Sequence, residues 1–147
     1  MPRADRKNIT ETALIETRVV AAVNTVAQGE PVVLDAAGTI SRPLALTDQI
    51  YGIAYKTEDG TWPAAAGDSV DVVLIGSPCI VPCRVGSASA TVTVGTIVNV
   101  DGNFDGVKTI TAGVGAVTTP IGMATQLGSV AGELVGVNLG ARLGTGA

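Results

Sequence analysis

Histidine is absent from the 147 residues, and there are only two cysteines, one tryptophan, two tyrosines and one phenylalanine. Without histidine the commonest general acid–base group is missing, and with it the Ser-His-Asp and Cys-His arrangements of nucleophilic catalysis. A zinc site of the usual ligand set is excluded on nearly the same ground. Charge is also scarce, at 15% of residues, and the net value of −4 argues against nucleic acid, which is recognised by a basic face. Long apolar runs are missing too. The most apolar stretch, residues 70–85, is broken by Asp71, Gly76, Pro78 and Pro82 and falls short of the ~20 residues of a membrane-spanning helix. The N-terminus is polar, without the apolar core of a secretory signal, so no membrane partner is expected and synthesis in a cytoplasm is.

The two cysteines, Cys79 and Cys83, lie four apart in a segment that reads as a strand. At ~3.3 Å per residue they would stand ~13 Å apart, beyond the ~7 Å reach of a disulfide. They are expected to be small buried hydrophobes.

What the chain has in quantity is Val, Ala, Thr and 19 glycines, with 46% hydrophobic residues. That composition excludes disorder for most of the chain and favours short strands joined by tight turns. With so few charges, part of the outside is expected to be hidden against copies of itself or a partner.

Residues 1–17 show neither sustained β alternation nor a capped helix, and read as an extended arm. Four of the nine basic residues (Arg3, Arg6, Lys7 and Arg18) fall by residue 18, so a slightly basic end precedes an acidic body. From Arg18 the pattern is β: a first strand over 18–26, then short segments up to 133–139, with turn signals every 8–12 residues. About ten short strands in residues 18–140 predict a compact all-β barrel or sandwich, followed by a Gly-rich flexible tail over 141–147.

Three pairs of segments match in the same order. Gly29–Asp35 matches Gly95–Asp101 as G-x-x-V-x-[LV]-D; Gly52-Ile53-Ala54 matches Gly122-Met123-Ala124; and Gly67–Leu74 matches Gly132–Leu139 as G-[DE]-x-V-x-V-x-L. They point to a degenerate duplication of residues 29–76 and 95–140, against the plainer explanation that β proteins reuse turn glycines and alternating valines. Duplicated halves would be expected to close one pseudo-symmetric barrel, with Gly52, Gly67, Gly122 and Gly132 as structural turn glycines.

Chemistry-bearing motifs are few. Most acids stand beside glycine in turns, where they cap backbone amides, and no catalytic residue or cofactor is expected. Asp101-Gly102-Asn103-Phe104-Asp105-Gly106 spells D-x-N-x-D-G, a spacing that in calcium loops sets three oxygen side chains on one cation. The acid needed at the twelfth position is replaced by Ala112, so a hairpin turn is the main expectation and a cation held by Asp101, Asn103 and Asp105 the weaker one. Gly67-Asp68-Ser69-Val70 is similar to the strand entry of biotinyl and lipoyl carrier domains. Neither Lys56 nor Lys108 has the setting of their modified lysine.

The polar arm, Tyr51-Gly52-Ile53-Ala54, Ala64–Val72, Ile121-Gly122-Met123-Ala124 and Gly132–Val137 together resemble the capsid cement, or head-decoration, proteins of tailed bacteriophages. The resemblance covers most of the chain in short motifs of common residues. It implies a non-enzymatic, homotrimeric virion protein on the capsid exterior, made in the host cytoplasm, that bridges subunits of the phage major capsid protein. The arm would then supply the capsid contacts, with Arg3, Arg6 and Lys7 as charges and Ile9, Leu14 and Ile15 as apolar anchors. The alternative is a glycan- or receptor-binding module on a virion surface, for which Trp62 is the one aromatic candidate near a loop tip.

Overall fold

A computed structural model describes residues 13–88, 91–110 and 120–140. These residues form short strands and no helix. The strands are β1 (Ile15–Val19), β2 (Thr25–Val26), β3 (Pro31–Leu34), β4 (Ile40–Ser41), β5 (Gly52–Thr57), β6 (Ala64–Ala65), β7 (Ser69–Leu74), β8 (Ile80–Arg84), β9 (Ile97–Val100), β10 (Val107–Thr109), β11 (Gly122–Ala124) and β12 (Leu134–Asn138). The all-β expectation holds.

Two five-stranded antiparallel sheets pack together as a sandwich of short strands. Sheet 1 runs β1-β7-β5-β3-β4 and sheet 2 runs β8-β12-β11-β9-β10, with a small β2-β6 pair beside them. In order along the chain both larger sheets have the same plan: first strand, fifth, fourth, second, third. In each, a single parallel bridge brings the outermost strands together, Val20 to Ile40 in sheet 1 and Val85 to Val107 in sheet 2. Each sheet therefore curls on itself, in place of one barrel shared by both halves.

The matched segments fall on equivalent positions of this plan. The Gly29 N–H donates to the Ala54 carbonyl at 2.8 Å, and the Gly95 N–H to that of Ala124 at 2.8 Å. Gly67 and Gly132 sit in turns at φ of 90° and 86°, where a side chain would be strained. Gly52 and Gly122, expected as turn glycines, instead open strands β5 and β11. Their reason is proximity: an added Cβ would lie 2.4 Å from the Val73 carbonyl oxygen or 2.5 Å from that of Asn138. Turn chemistry and strand crowding leave the same residue in a sequence.

Alternation fills the cores. Val70 and Val72 of β7 join Val20, Val26, Val32, Ile40, Ala54 and Ala64. In sheet 2 Val135 and Val137 join Val85, Val92, Val98, Val107 and Ala124 at the corresponding places. The second core is larger because sheet 1 contributes to it. Ile53 and Val73, on the face of sheet 1 turned away from its own core, are buried with Val81, Cys83 and Ile121 of sheet 2. Strand β5 runs beside β8 at this junction.

The first strand differs from the one expected over residues 18–26. It starts at Ile15 and ends at Val19, because Val23 adopts a φ of 58° in a turn before β2. The arm boundary at residue 17 is accordingly too late, since residues 15–17 pair with β7 along the sheet. The tail over 141–147 lies outside the described residues.

Candidate functional site

Of the proposed contact residues, Leu14 and Ile15 are described, while Arg3, Arg6, Lys7 and Ile9 lie outside the described residues. The chain enters the sheet at Leu14, whose carbonyl accepts the Leu74 N–H at 2.8 Å and whose N–H donates to Ser77 Oγ at 3.0 Å. From there β1 is an outermost strand. The Leu14–Leu74 and Val20–Asp68 bonds set the even-numbered residues toward β7, so the backbone groups of Ile15 and Thr17 turn to the open edge, which closes at Val20 where the strand meets Ile40 of β4. Leu14, Ile15 and Val19 are also exposed side chains, at 55%, 47% and 41%. A charged edge is the usual protection against strand pairing, and this one carries Glu16 and Arg18 on one face and Ile15, Thr17 and Val19 on the other.

On the Glu16–Arg18 face of β1 lies a polar cluster. The Tyr51 hydroxyl donates a short hydrogen bond to Glu16, Arg18 Nη2 donates to Glu16 Oε1 at 3.1 Å, and the guanidinium lies 5.7 Å from the Tyr51 ring centroid. The Tyr51 hydroxyl, and then Arg18, hold the Glu16 carboxyl below its ordinary range. These residues occupy the places that Val81, Cys83 and Ile121 fill in sheet 2. Spacing alone could have suggested the Glu16–Arg18 pairing. The partner Tyr51 comes from β-sheet register, which no local pattern reveals.

A second polar centre ties the sheets together. Glu30, 1% exposed, accepts two bonds from Arg42, at 3.0 Å from Nε and 2.7 Å from Nη2, and one from the Ala27 N–H at 2.9 Å. Burial pushes the Glu30 carboxyl up, opposed by Arg42 and the Ala27 amide. Nearby, the Arg84 N–H donates to the Gly29 carbonyl at 2.9 Å and Arg84 Nε to that of Gln28 at 3.0 Å, which fastens the β2–β3 turn to the edge of β8.

The D-x-N-x-D-G loop is a turn that uses its own acids. Asp101, fully buried, accepts the Asp105 N–H at 3.1 Å and the Ala88 N–H at 3.0 Å. Asp105 accepts the Ser87 N–H at 3.0 Å and the Ser87 hydroxyl, and Asn103 Nδ2 donates to Ser87 Oγ at 2.9 Å. Burial raises the Asp101 carboxyl, with the neighbouring Asp105 charge adding to it. Burial acts the same way on Asp105, but the Ser87 hydrogen bonds outweigh it and bring that carboxyl below its ordinary value. Asp35, at the matching place in sheet 1, caps Ala37 and Thr39 in the same manner. Among the described residues no group of three or more His, Cys, Asp or Glu side chains could hold a metal ion. Titration with calcium is therefore expected to give no saturable heat and no rise in melting temperature. Binding tighter than ~1 mM, the weak end for protein calcium sites, would show that these carboxylates leave their amides for a cation.

Trp62 is half-buried and packs against the core of sheet 1, together with Tyr51 and Leu74. Tyr55 is 39% exposed, and Phe104 packs against the second core. Cys83 is fully buried, and burial raises both thiols, Cys79 to a lesser degree. No helix among the described residues is long and apolar enough to cross a membrane. Neither the protein-family models nor the curated proteins include a match to this chain.

Proposed function

We propose that this chain is a non-enzymatic structural protein that binds the outer surface of an assembled phage capsid and bridges its major capsid subunits. The observation that carries the proposal is the continuity between the N-terminal segment and the edge strand β1. Residues 1–12, with three basic side chains, lead by way of the exposed Leu14 into a strand whose Ile15 and Val19 side chains are exposed and whose Ile15 and Thr17 backbone groups face the open edge. Such an edge recognises extended partner chain by main-chain hydrogen bonding, with alternate side chains adding specificity. The sandwich behind it is a rigid support. Weak sites repeated over a lattice would add to a large combined stabilisation. The same sparseness of surface charge favours self-association, for which a homotrimer on the capsid exterior is the proposed form.

Co-sedimentation with purified expanded and unexpanded heads, using full-length protein and a form lacking residues 1–12, tests this. Saturable binding to expanded heads, lost or weakened at least tenfold in the shortened form with its melting temperature unchanged, is expected. No binding of the full-length protein to either kind of head would overturn the proposal. Removing residues 1–19 instead should also lower stability, because β7 then loses its outer neighbour.

A further inference from the structure

β1 and β8 are the same strand in the shared plan, each first in its sheet and each outermost. Their registers correspond residue for residue, Ile15–Val19 against Val73–Ser69 and Ile80–Arg84 against Asn138–Leu134. What they give to the interior differs. β8 buries Val81 and Cys83. At those two places β1 carries Glu16 and Arg18, whose side chains are 38% and 31% exposed. Among the described strands, β1 is the one without a single buried residue.

We infer that β1 is a releasable strap: the segment from Leu14 to Val19 detaches from β7 as a unit, hinged at Val20, while the rest of both sheets stays folded.

Local opening occurs where few apolar side chains are buried and the hydrogen bonds lie close to solvent. The side-chain bonds that hold β1 are polar. Glu16 and Arg18 meet at Tyr51, the Thr17 hydroxyl donates to Asp71 at 2.7 Å on the exposed face, and Ser77 Oγ accepts the Leu14 N–H at 3.0 Å. Exposed polar and ionic contacts of this kind contribute little, because water takes their place when they part. Attachment therefore rests mainly on backbone pairing with β7. Val70 and Vall72 of β7 face a core whose other members, Val26, Val32, Ile40, Ala54 and Ala64, come from strands that the release leaves in place.

The lower end of the strand is held differently. Val20 is buried in the sheet 1 core, its N–H donates to the Asp68 carbonyl at 2.9 Å and its carbonyl accepts the Gly67 N–H at 3.0 Å. The Ala21 N–H donates to the Ile40 carbonyl at 2.8 Å. These contacts set the point at which release stops. Detached, Leu14–Val19 would add ~20 Å of reach to the segment ahead of it, at ~3.3 Å per residue. The inference concerns the chain alone and holds whatever partner that segment meets.

Native-state hydrogen exchange on the full chain, read amide by amide by NMR and corrected for intrinsic rates, tests it. The Glu16 and Arg18 amides, which point to β7, are expected to exchange at least tenfold faster than those of Val81 and Cys83, their counterparts in β8. They should outpace Ile53 and Val73, which pair with each other between β5 and β7, by the same margin. Rates within tenfold of Val81 and Cys83 would overturn the inference, because β1 would then open only with the whole molecule. Ile53 and Val73 exchanging as fast as Glu16 would overturn it too, since sheet 1 would then open as one. A covalent clasp gives a second reading. Thr17 and Asp71 stand directly opposite each other, within reach of a disulfide. In Thr17→Cys/Asp71→Cys, oxidation should slow the Glu16 and Arg18 amides at least tenfold relative to the reduced form, and equal rates in the two forms would contradict release from β7.

Discussion

Ile53→Ala is expected to destabilise the protein by about 3 kcal/mol, while Met123→Ala, at the matching place in sheet 2, costs less than about 1 kcal/mol. Ile53 is fully buried and lies where the back of sheet 1 meets the core of sheet 2. Truncating it removes three carbons from a close-packed junction fixed on both sides by β-sheet, where little relaxation can fill the space. Met123 is half-buried on a face against which no second sheet packs among the described residues. The contrast separates burial from sequence, because the two positions share strand, register and neighbouring glycine. Urea unfolding of both variants measures it, with the midpoint compared at constant slope. Equal losses would mean that the faces of the two sheets are covered alike.

Arg42→Met is expected to cost about 2 kcal/mol at pH 7, and to cost much less in acid. Removing one partner of a buried ion pair costs ~3–5 kcal/mol when both groups are buried. Here the Arg42 side chain is 39% exposed, so solvent already screens it and the loss is smaller. Glu30 has no such relief, at 1% exposure. Its folded carboxyl already titrates above the ordinary 4.5 because of burial, and loss of the guanidinium raises it further. The folded variant therefore binds more protons than the unfolded chain as pH falls through that range. Its deficit against wild type is full above the variant's raised folded value, shrinks as pH falls from there and is gone by about 4.5, where the carboxyl is protonated in both folded proteins. Chemical denaturation of both proteins between pH 4 and pH 7 checks the sign. A deficit that is constant with pH would show that Arg42 acts through packing rather than charge.

How much of this could be read from residues depends on whether a feature is local. Alternating valines at 70, 72, 135 and 137 and the glycines at 67 and 132 mark strands and turns within a few residues, and the β architecture was legible from them. The three matched segments likewise fall on equivalent places of two sheets with one strand order: two couple a turn glycine to the strand that follows, and the third holds a glycine crowded by the adjacent strand. The manner of packing was not legible. Whether Ile53 faces its own sheet's core or the neighbouring sheet depends on pairing between residues far apart in the chain. The Glu30–Arg42 and Glu16–Tyr51 contacts were hidden for the same reason, at separations of 12 and 35 residues. Gly52 and Gly122 were noticed for the wrong property, since crowding by an adjacent strand, rather than a turn, excludes a side chain there. The Asp101–Asp105 loop could be read in two ways from its spacing. Its hydrogen bonds show the carboxylates engaged with backbone amides, as Asp35 is.

The most direct measurement is the heat stability of expanded phage heads that lack a decoration protein, followed by light scattering or genome release with and without saturating amounts of this chain. A clear rise in the temperature of head disruption, absent with the form lacking residues 1–12, is expected for a protein that clamps neighbouring capsid subunits. Saturable binding with no change in that temperature would contradict a cementing role and leave a passive surface ligand. No binding at all would contradict capsid decoration itself.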